Sequence, residues 1–252
     1  MKSILTVAIT CGLVVLQCVF GLAEEREVRL HEDGWWVRYA SITKQEFNGQ
    51  VHENTCKSTY SLVGTVTEDG ETCRWIELNS VCTFGEKEHA VISKYLVPEK
   101  ELLEHEQPID KLKRGWVKVN KMDVHAVKAG QEIRPGNWKL GIFPGMWRNA
   151  ERVKKERVVD YQQGRFTIAE AKTLKVTIPV STVNRPFTQK TEDRKNAIEY
   201  TAWFDQMIPP VYVAAKIQTK RYANDELLNT VEDDIVIEDY GTGAMSKLPD
   251  NN

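Results

Sequence analysis

The sequence predicts a mainly β protein, an antiparallel sheet, barrel or sandwich with two or three short helices, and three observations carry that expectation. Short alternating runs bounded by Gly, Pro, Asn or Asp recur along the chain, about eight or nine in all. Helical signals are confined to two brief stretches, Glu99 to Glu106 behind Pro98 and a turn within Pro108 to Val119. Finally, two runs between Cys56 and Cys82 predict each other as the strands of one hairpin. No internal repeat or shift of composition divides the chain, so residues 24–240 read as a single β-rich domain.

Residues 1–23 have a basic start at Lys2, an apolar run from Ile4 to Phe20 and a small-x-small ending at Gly21, Leu22 and Ala23. That pattern predicts a secretory signal peptide and an exported product, periplasmic or extracellular. A membrane anchor is the rival, and the apolar run lies at the lower limit for a spanning helix. A lipoprotein reading through Cys18 meets Gln17 where a small residue is needed. No second apolar stretch is long enough to span a bilayer, so the mature chain is expected to have no transmembrane segment. With 34 basic and 36 acidic residues the chain has no excess of positive charge, which argues against a nucleic-acid partner.

In the hairpin, Glu68, Asp69 and Gly70 supply a three-residue turn signal with Gly70 at the left-handed position. Pairing Thr67 with Glu71 puts Cys56, Tyr60, Leu62 and Val66 opposite Cys82, Leu78, Ile76 and Thr72 on one largely apolar face, which is predicted to be buried. Ser58 opposite Ser80 and Arg74 opposite Gly64 are the polar exceptions. In this register Cys56 faces Cys82, a disulfide at the open end of the hairpin, and Cys73 points the other way opposite Thr65.

Around the hairpin, Gly34 to Ala40 reads as a strand and Thr43 to Asn54 as a polar connection. His89 to Val97 is a strand stopped by Pro98. From Val127 to Arg148, glycines and prolines punctuate a loop carrying Trp138, Ile142, Phe143, Met146 and Trp147. Loops ordinarily lie in water, so a loop this apolar folds back over the core as a plug, lines the mouth of an apolar site or contacts a partner. Trp138, Phe143, Met146 and Trp147 are the candidate ligand-binding residues. Ala150 to Arg157 is a charge run that reads as a solvated face. Strand signals return around Phe166 and Ile168, from Leu174 to Val180, from Ala197 to Phe204, from Val211 to Gln218 and from Asp234 to Tyr240. Residues 241–252 are small and polar and read as a flexible tail.

Trp203-Phe204-Asp205, Pro209-Pro210 and the alternating run Val211-Tyr212-Val213-Ala214-Ala215-Lys216-Ile217 together resemble a strand, Trp-x-Asp, proline turn and returning strand of the periplasmic lipoprotein-carrier group, the half-barrels of outer-membrane lipoprotein sorting and sigma regulation. The ending Tyr240-Gly241-Thr242-Gly243-Ala244 is similar to those of exported bacterial proteins. The resemblance covers about 20 residues closely. It implies a single curved antiparallel sheet, half-barrel-like and closed on one side by helices, with an apolar hollow for a lipid or a lipoprotein acyl chain. The chain departs from that pattern in its doubled proline and its longer, glycine-rich central loop.

No Gly-x-Ser-x-Gly elbow, His-Glu-x-x-His helix, phosphate-cradling loop or dinucleotide fingerprint occurs, and no cofactor or metal is predicted. The five histidines are isolated from one another, and carboxylate pairs such as Asp233-Asp234 sit in charged stretches. Three functions compete on these grounds: an exported, non-catalytic binder of an apolar or lipid-like ligand, an envelope protein-interaction or structural module without a ligand, and an extracellular hydrolase. The last stays open because glycosidase carboxylates leave almost no local signature.

Overall fold

The computed structural model describes residues 30–47, 49–105, 108–128, 143–161, 164–180, 194–204 and 212–248. Its strands are β1 (Trp36–Phe47), β2 (Gln50–Glu68), β3 (Glu71–Phe84), β4 (Lys87–Pro98), β5 (Arg114–Val119), β6 (His125–Lys128), β7 (Glu151–Tyr161), β8 (Gly164–Val180), β9 (Arg194–Phe204), β10 (Tyr212–Ala223) and β11 (Glu226–Gly241). Helical segments among the described residues are one short helix, α1 (Glu99–Glu104), and two 3-10 turns, Pro108–Lys111 and Pro144–Trp147. All eleven strands form one open antiparallel sheet in the order β6-β5-β4-β3-β2-β1-β11-β10-β9-β8-β7. Two meanders, β1 to β6 and β7 to β11, are thus joined where the first strand pairs with the last.

Several segments differ from the sequence expectation. Thr43 to Asn54 is no connection but the end of the β1–β2 hairpin, turning at Gly49 with φ 74°. Side chains from Thr43 to Glu46 alternate between half-buried and exposed and those from Gln50 to Glu53 are all exposed, so no apolar face marks the strands. The charge run after Ala150 forms the first half of β7, an edge strand, and charged side chains are one way an edge is guarded against pairing with other chains. The runs around Ile168 and Val176 belong to one continuous strand, β8.

The Cys56–Cys82 hairpin has the predicted pairing only in its outer half. Glu68 faces Glu71 across a two-residue turn, not three, with Asp69 and Gly70 both left-handed at φ 53° and 79°, the backbone a type I′ turn needs. The resulting one-residue offset is cancelled by an irregularity between Leu62 and Gly64. Beyond it Tyr60 faces Leu78 and Cys56 faces Cys82, bridged as predicted. Between turn and bulge the faces are exchanged. Val66 faces Cys73 and packs with Trp75 and Leu96, and Arg74 faces Thr65 instead of Gly64. The Arg74 guanidinium donates to the His31 carbonyl at 2.6 Å and pairs with Asp33 at 3.0 Å and Glu99 at 3.4 Å. Ser58 and Ser80 satisfy each other through a 2.7 Å hydroxyl bond inside the apolar face.

The main core lies on the face bearing Tyr39, Tyr60, Leu78, Tyr95, Ile198, Tyr200, Ile217 and Ile235. Leu102 of α1 and Leu112 close over it. A smaller cluster of Cys73, Trp75 and Leu96 occupies the opposite face of β3 and β4.

The sheet is not flat. Arg157 of β7 pairs with Asp234 of β11 at 2.5 Å although three strands lie between them. Four strand spacings of about 4.8 Å cannot be bridged by one side chain, so the β7 end curls back toward β11. Residues 242–248, assigned by the sequence to a flexible tail, are held against β3. The Glu77 carboxylate accepts from Ser246 Oγ at 2.8 Å and from the amides of Lys247 and Leu248 at 2.9 and 3.3 Å.

Candidate functional site

Six aromatic rings run across the main core face, each in contact with the next. Tyr60 meets Tyr39 edge-on at 6.1 Å, and Tyr39 lies tilted against Tyr212 at 4.9 Å. Tyr212 meets Phe204 at 6.5 Å, Phe204 meets Trp147 at 5.3 Å, and Trp147 meets Tyr200 at 6.4 Å, all near perpendicular. Edge-to-face packing is the arrangement that ring quadrupoles favour. The rings come from β2, β1, β10, β9 and the 3-10 turn, elements far apart in sequence. Strand alternation places Tyr39, Tyr60 and Tyr200 on one face, while an irregularity between Tyr212 and Ala214 lets Tyr212 pair with Phe204.

The 3-10 turn Pro144–Trp147 lays its Trp147 ring against Tyr200 and Phe204. Phe143 and Trp147 are both 4% exposed and belong to the main core, so this part of the central loop is seated as a plug on the sheet. Helix α1 packs against the same turn. Of the four predicted ligand-binding residues, Trp147 lies against Tyr200 and Phe204, and Phe143 is buried in the same core. Trp138 and the Met146 side chain lie outside the described residues, as do Asp205 and Pro209-Pro210 of the Trp203 resemblance.

The electrostatics of the row are those of a dry surface. Burial pushes the phenols of Tyr39, Tyr60 and Tyr212 well above their usual range, and burial with the Asp233 charge lifts Tyr200 to about 12. Tyr39 donates to the Tyr212 carbonyl at 2.8 Å. The Tyr212 hydroxyl has no hydrogen-bond partner among the described residues, although the residue is 0% exposed. A buried donor left unmade costs free energy, about 1–3 kcal/mol.

Other places offer less. A groove of about 420 Å³ on the opposite face is lined by Lys44, Lys155 and Lys216 against Glu199, Glu232 and Asp234. Its charges answer one another, with Lys216 3.9 Å from Asp234 and Arg157 on the same carboxylate, so it reads as the ionic seam that fastens β7. No group of three or more His, Cys, Asp or Glu among the described residues could hold a metal ion. No helix among them is long and apolar enough to cross a membrane.

Sequence reasoning missed Tyr200 and Phe204 as partners of Trp147, because contacts between distant strands leave no local pattern. It also left open which face of β9 is core. Tyr200 and Ala202 bury on the ring-bearing face, and Trp203 buries on the other, 2% exposed, with its indole donating to the Lys155 carbonyl at 2.7 Å. Neither a family model nor a curated protein matches this chain.

Proposed function

We propose that the protein is an exported, non-catalytic binder of an apolar or lipid-like ligand, such as a lipid or lipoprotein acyl chain, taken up on the aromatic face of a half-barrel sheet. The observation that carries this reading is the row of six rings, in which the Trp147 ring of the 3-10 turn lies against Tyr200 and Phe204, with the buried Tyr212 hydroxyl unpartnered among the described residues. Displacing the turn exposes Phe143 and Trp147, and the hydrocarbon that replaces them restores about 0.8 kcal/mol per buried CH2. The resemblance around Trp203 and the hairpin disulfide support the same reading, the second because disulfides persist in oxidising compartments.

A second reading, an envelope protein-interaction or structural module without ligand, is favoured by the deep burial of Phe143 and Trp147, which fill the face. Native mass spectrometry of protein produced in bacteria separates the two. Under the first reading lipid co-purifies and Trp147→Ala weakens its retention. Under the second the protein carries nothing and Trp147→Ala only lowers stability.

A further inference from the structure

Beside the aromatic row stand two cations that no acidic side chain among the described residues neutralises. Lys172 of β8 and Arg152 of β7 are register partners, so their side chains lie on the same face of adjacent strands. Lys172 in turn faces Ala202, which places it on the ring-bearing face, and its ammonium sits 5.2 Å from the centroid of Phe204. Phe204 is the ring that touches both Trp147 and Tyr212. Neither cation has an acidic partner among the described residues.

Other cations of the sheet have acidic partners. Arg38 is paired with Glu238, Arg74 with Asp33 and Glu99, Arg157 with Asp234, and Lys113 with Glu71. Two like charges set side by side repel, and burial adds to the cost. Lys172 bears both effects, its ammonium pulled below the usual lysine range by burial first and by Arg152 second. An anion between the two would relieve both, and arginine beside lysine combines a planar fork with a point charge, which suits carboxylate or phosphate oxygens.

Resting on the apolar-ligand reading, we propose that Arg152 and Lys172 form the headgroup subsite for an anionic amphiphile. The oxyanion, carboxylate or phosphate, lies between the two cations at the β7–β8 side of the row, and the hydrocarbon lies on Phe204 and Tyr212 in place of Trp147. The Tyr212 hydroxyl supplies a further donor within the same ring cluster.

The test uses the full mature protein, displacement of an environment-sensitive apolar dye and isothermal titration with four probes: dodecanoate, dodecyl phosphate, dodecanol and inorganic phosphate. The two anionic amphiphiles should bind about tenfold or more tighter than dodecanol, the margin of one charge-assisted contact. In Arg152→Gln/Lys172→Gln that margin should vanish while dodecanol binding is unchanged. Arg152→Gln alone, at an exposed position, should lose part of it and guards against a folding defect in the double variant. Equal binding of dodecanol and dodecanoate by the parent protein, or a preference that survives in the double variant, overturns the subsite and leaves the apolar-ligand reading standing. Inorganic phosphate binding as tightly as dodecyl phosphate also overturns it, because the cations then hold free anions and read no headgroup. Binding of none of the three amphiphiles overturns the subsite and the apolar-ligand reading together.

Discussion

A Cβ placed on Gly145 would stand 2.4 Å from the carbonyl oxygen of His105 and 2.8 Å from its amide nitrogen. Helix α1 ends at that backbone, and the 3-10 turn that carries Trp147 rests on it without a side chain between them. Both atoms belong to main chain, so a substitution cannot be absorbed by a rotamer change.

Gly145→Ala should therefore push the turn off the helix, costing about 1–3 kcal/mol in denaturant unfolding. If the turn is a displaceable cover, the same variant should bind an apolar dye more strongly than the parent. An unchanged unfolding midpoint would show that α1 does not support the turn.

Peptide mapping without reductant should find Cys56 linked to Cys82 and Cys73 free. Cys73 is 0% exposed and burial raises its thiol above the usual range, so alkylation should occur only after denaturation. Reduction should lower stability by about 3 to 4 kcal/mol, the loop-entropy contribution of a bridge spanning 26 residues. Rapid labelling of Cys73 in the native protein would contradict its placement under Trp75 and Leu96.

Trp203 lies on the face toward which β7 curls, with the Arg157 guanidinium 4.9 Å from its ring. Replacing it with Ala should cost about 3–5 kcal/mol. Trp203→Phe should cost less, keeping an apolar ring but leaving the Lys155 carbonyl without its indole donor. Equal melting temperatures for parent and Trp203→Ala would mean that the curl of β7 does not depend on this ring.

Alkali should unfold the protein through its tyrosines. Tyr39, Tyr60, Tyr200 and Tyr212 all have folded values above the unfolded value of about 10, so the unfolded chain loses these protons first. Their contribution is fully present below about pH 10 and is lost as pH rises through the folded values, about 12 for Tyr200. Phenolate absorbance and far-ultraviolet dichroism should then change together for these four of the eight tyrosines. Early phenolate formation with the sheet intact would place them in water.

Much of this architecture is legible in short patterns because β-hairpins are local. Asp69-Gly70 announces its turn, and the alternation around Tyr60 and Leu78 announces its buried face. What escaped has a physical reason in each case. The Leu62–Gly64 irregularity compensates for the short turn, and either error alone would have flipped the faces. Thr43 to Asn54 lacks an apolar stripe because that end of β1 and β2 packs little. Phe143 and Trp147 stood out as rings in a glycine-rich loop. The partners of Trp147, Tyr200 and Phe204, alternate in their strand like any core residue, and only the fold brings them to the turn.

Pairing the first strand with the last also dictates an order of assembly. Each meander is built from neighbours in sequence, yet Trp36 reaches Thr242 across 206 residues to close the seam between them. Closing so long a loop is entropically costly and slow compared with hairpin formation. Until β11 has been synthesised, β1 carries a bare edge along its whole length, the kind of edge that recruits other chains. The protein is thus knitted from both sides toward a joint completed last. Residues shielding β1 in the unfinished chain would decide yield, while contributing nothing to the finished fold.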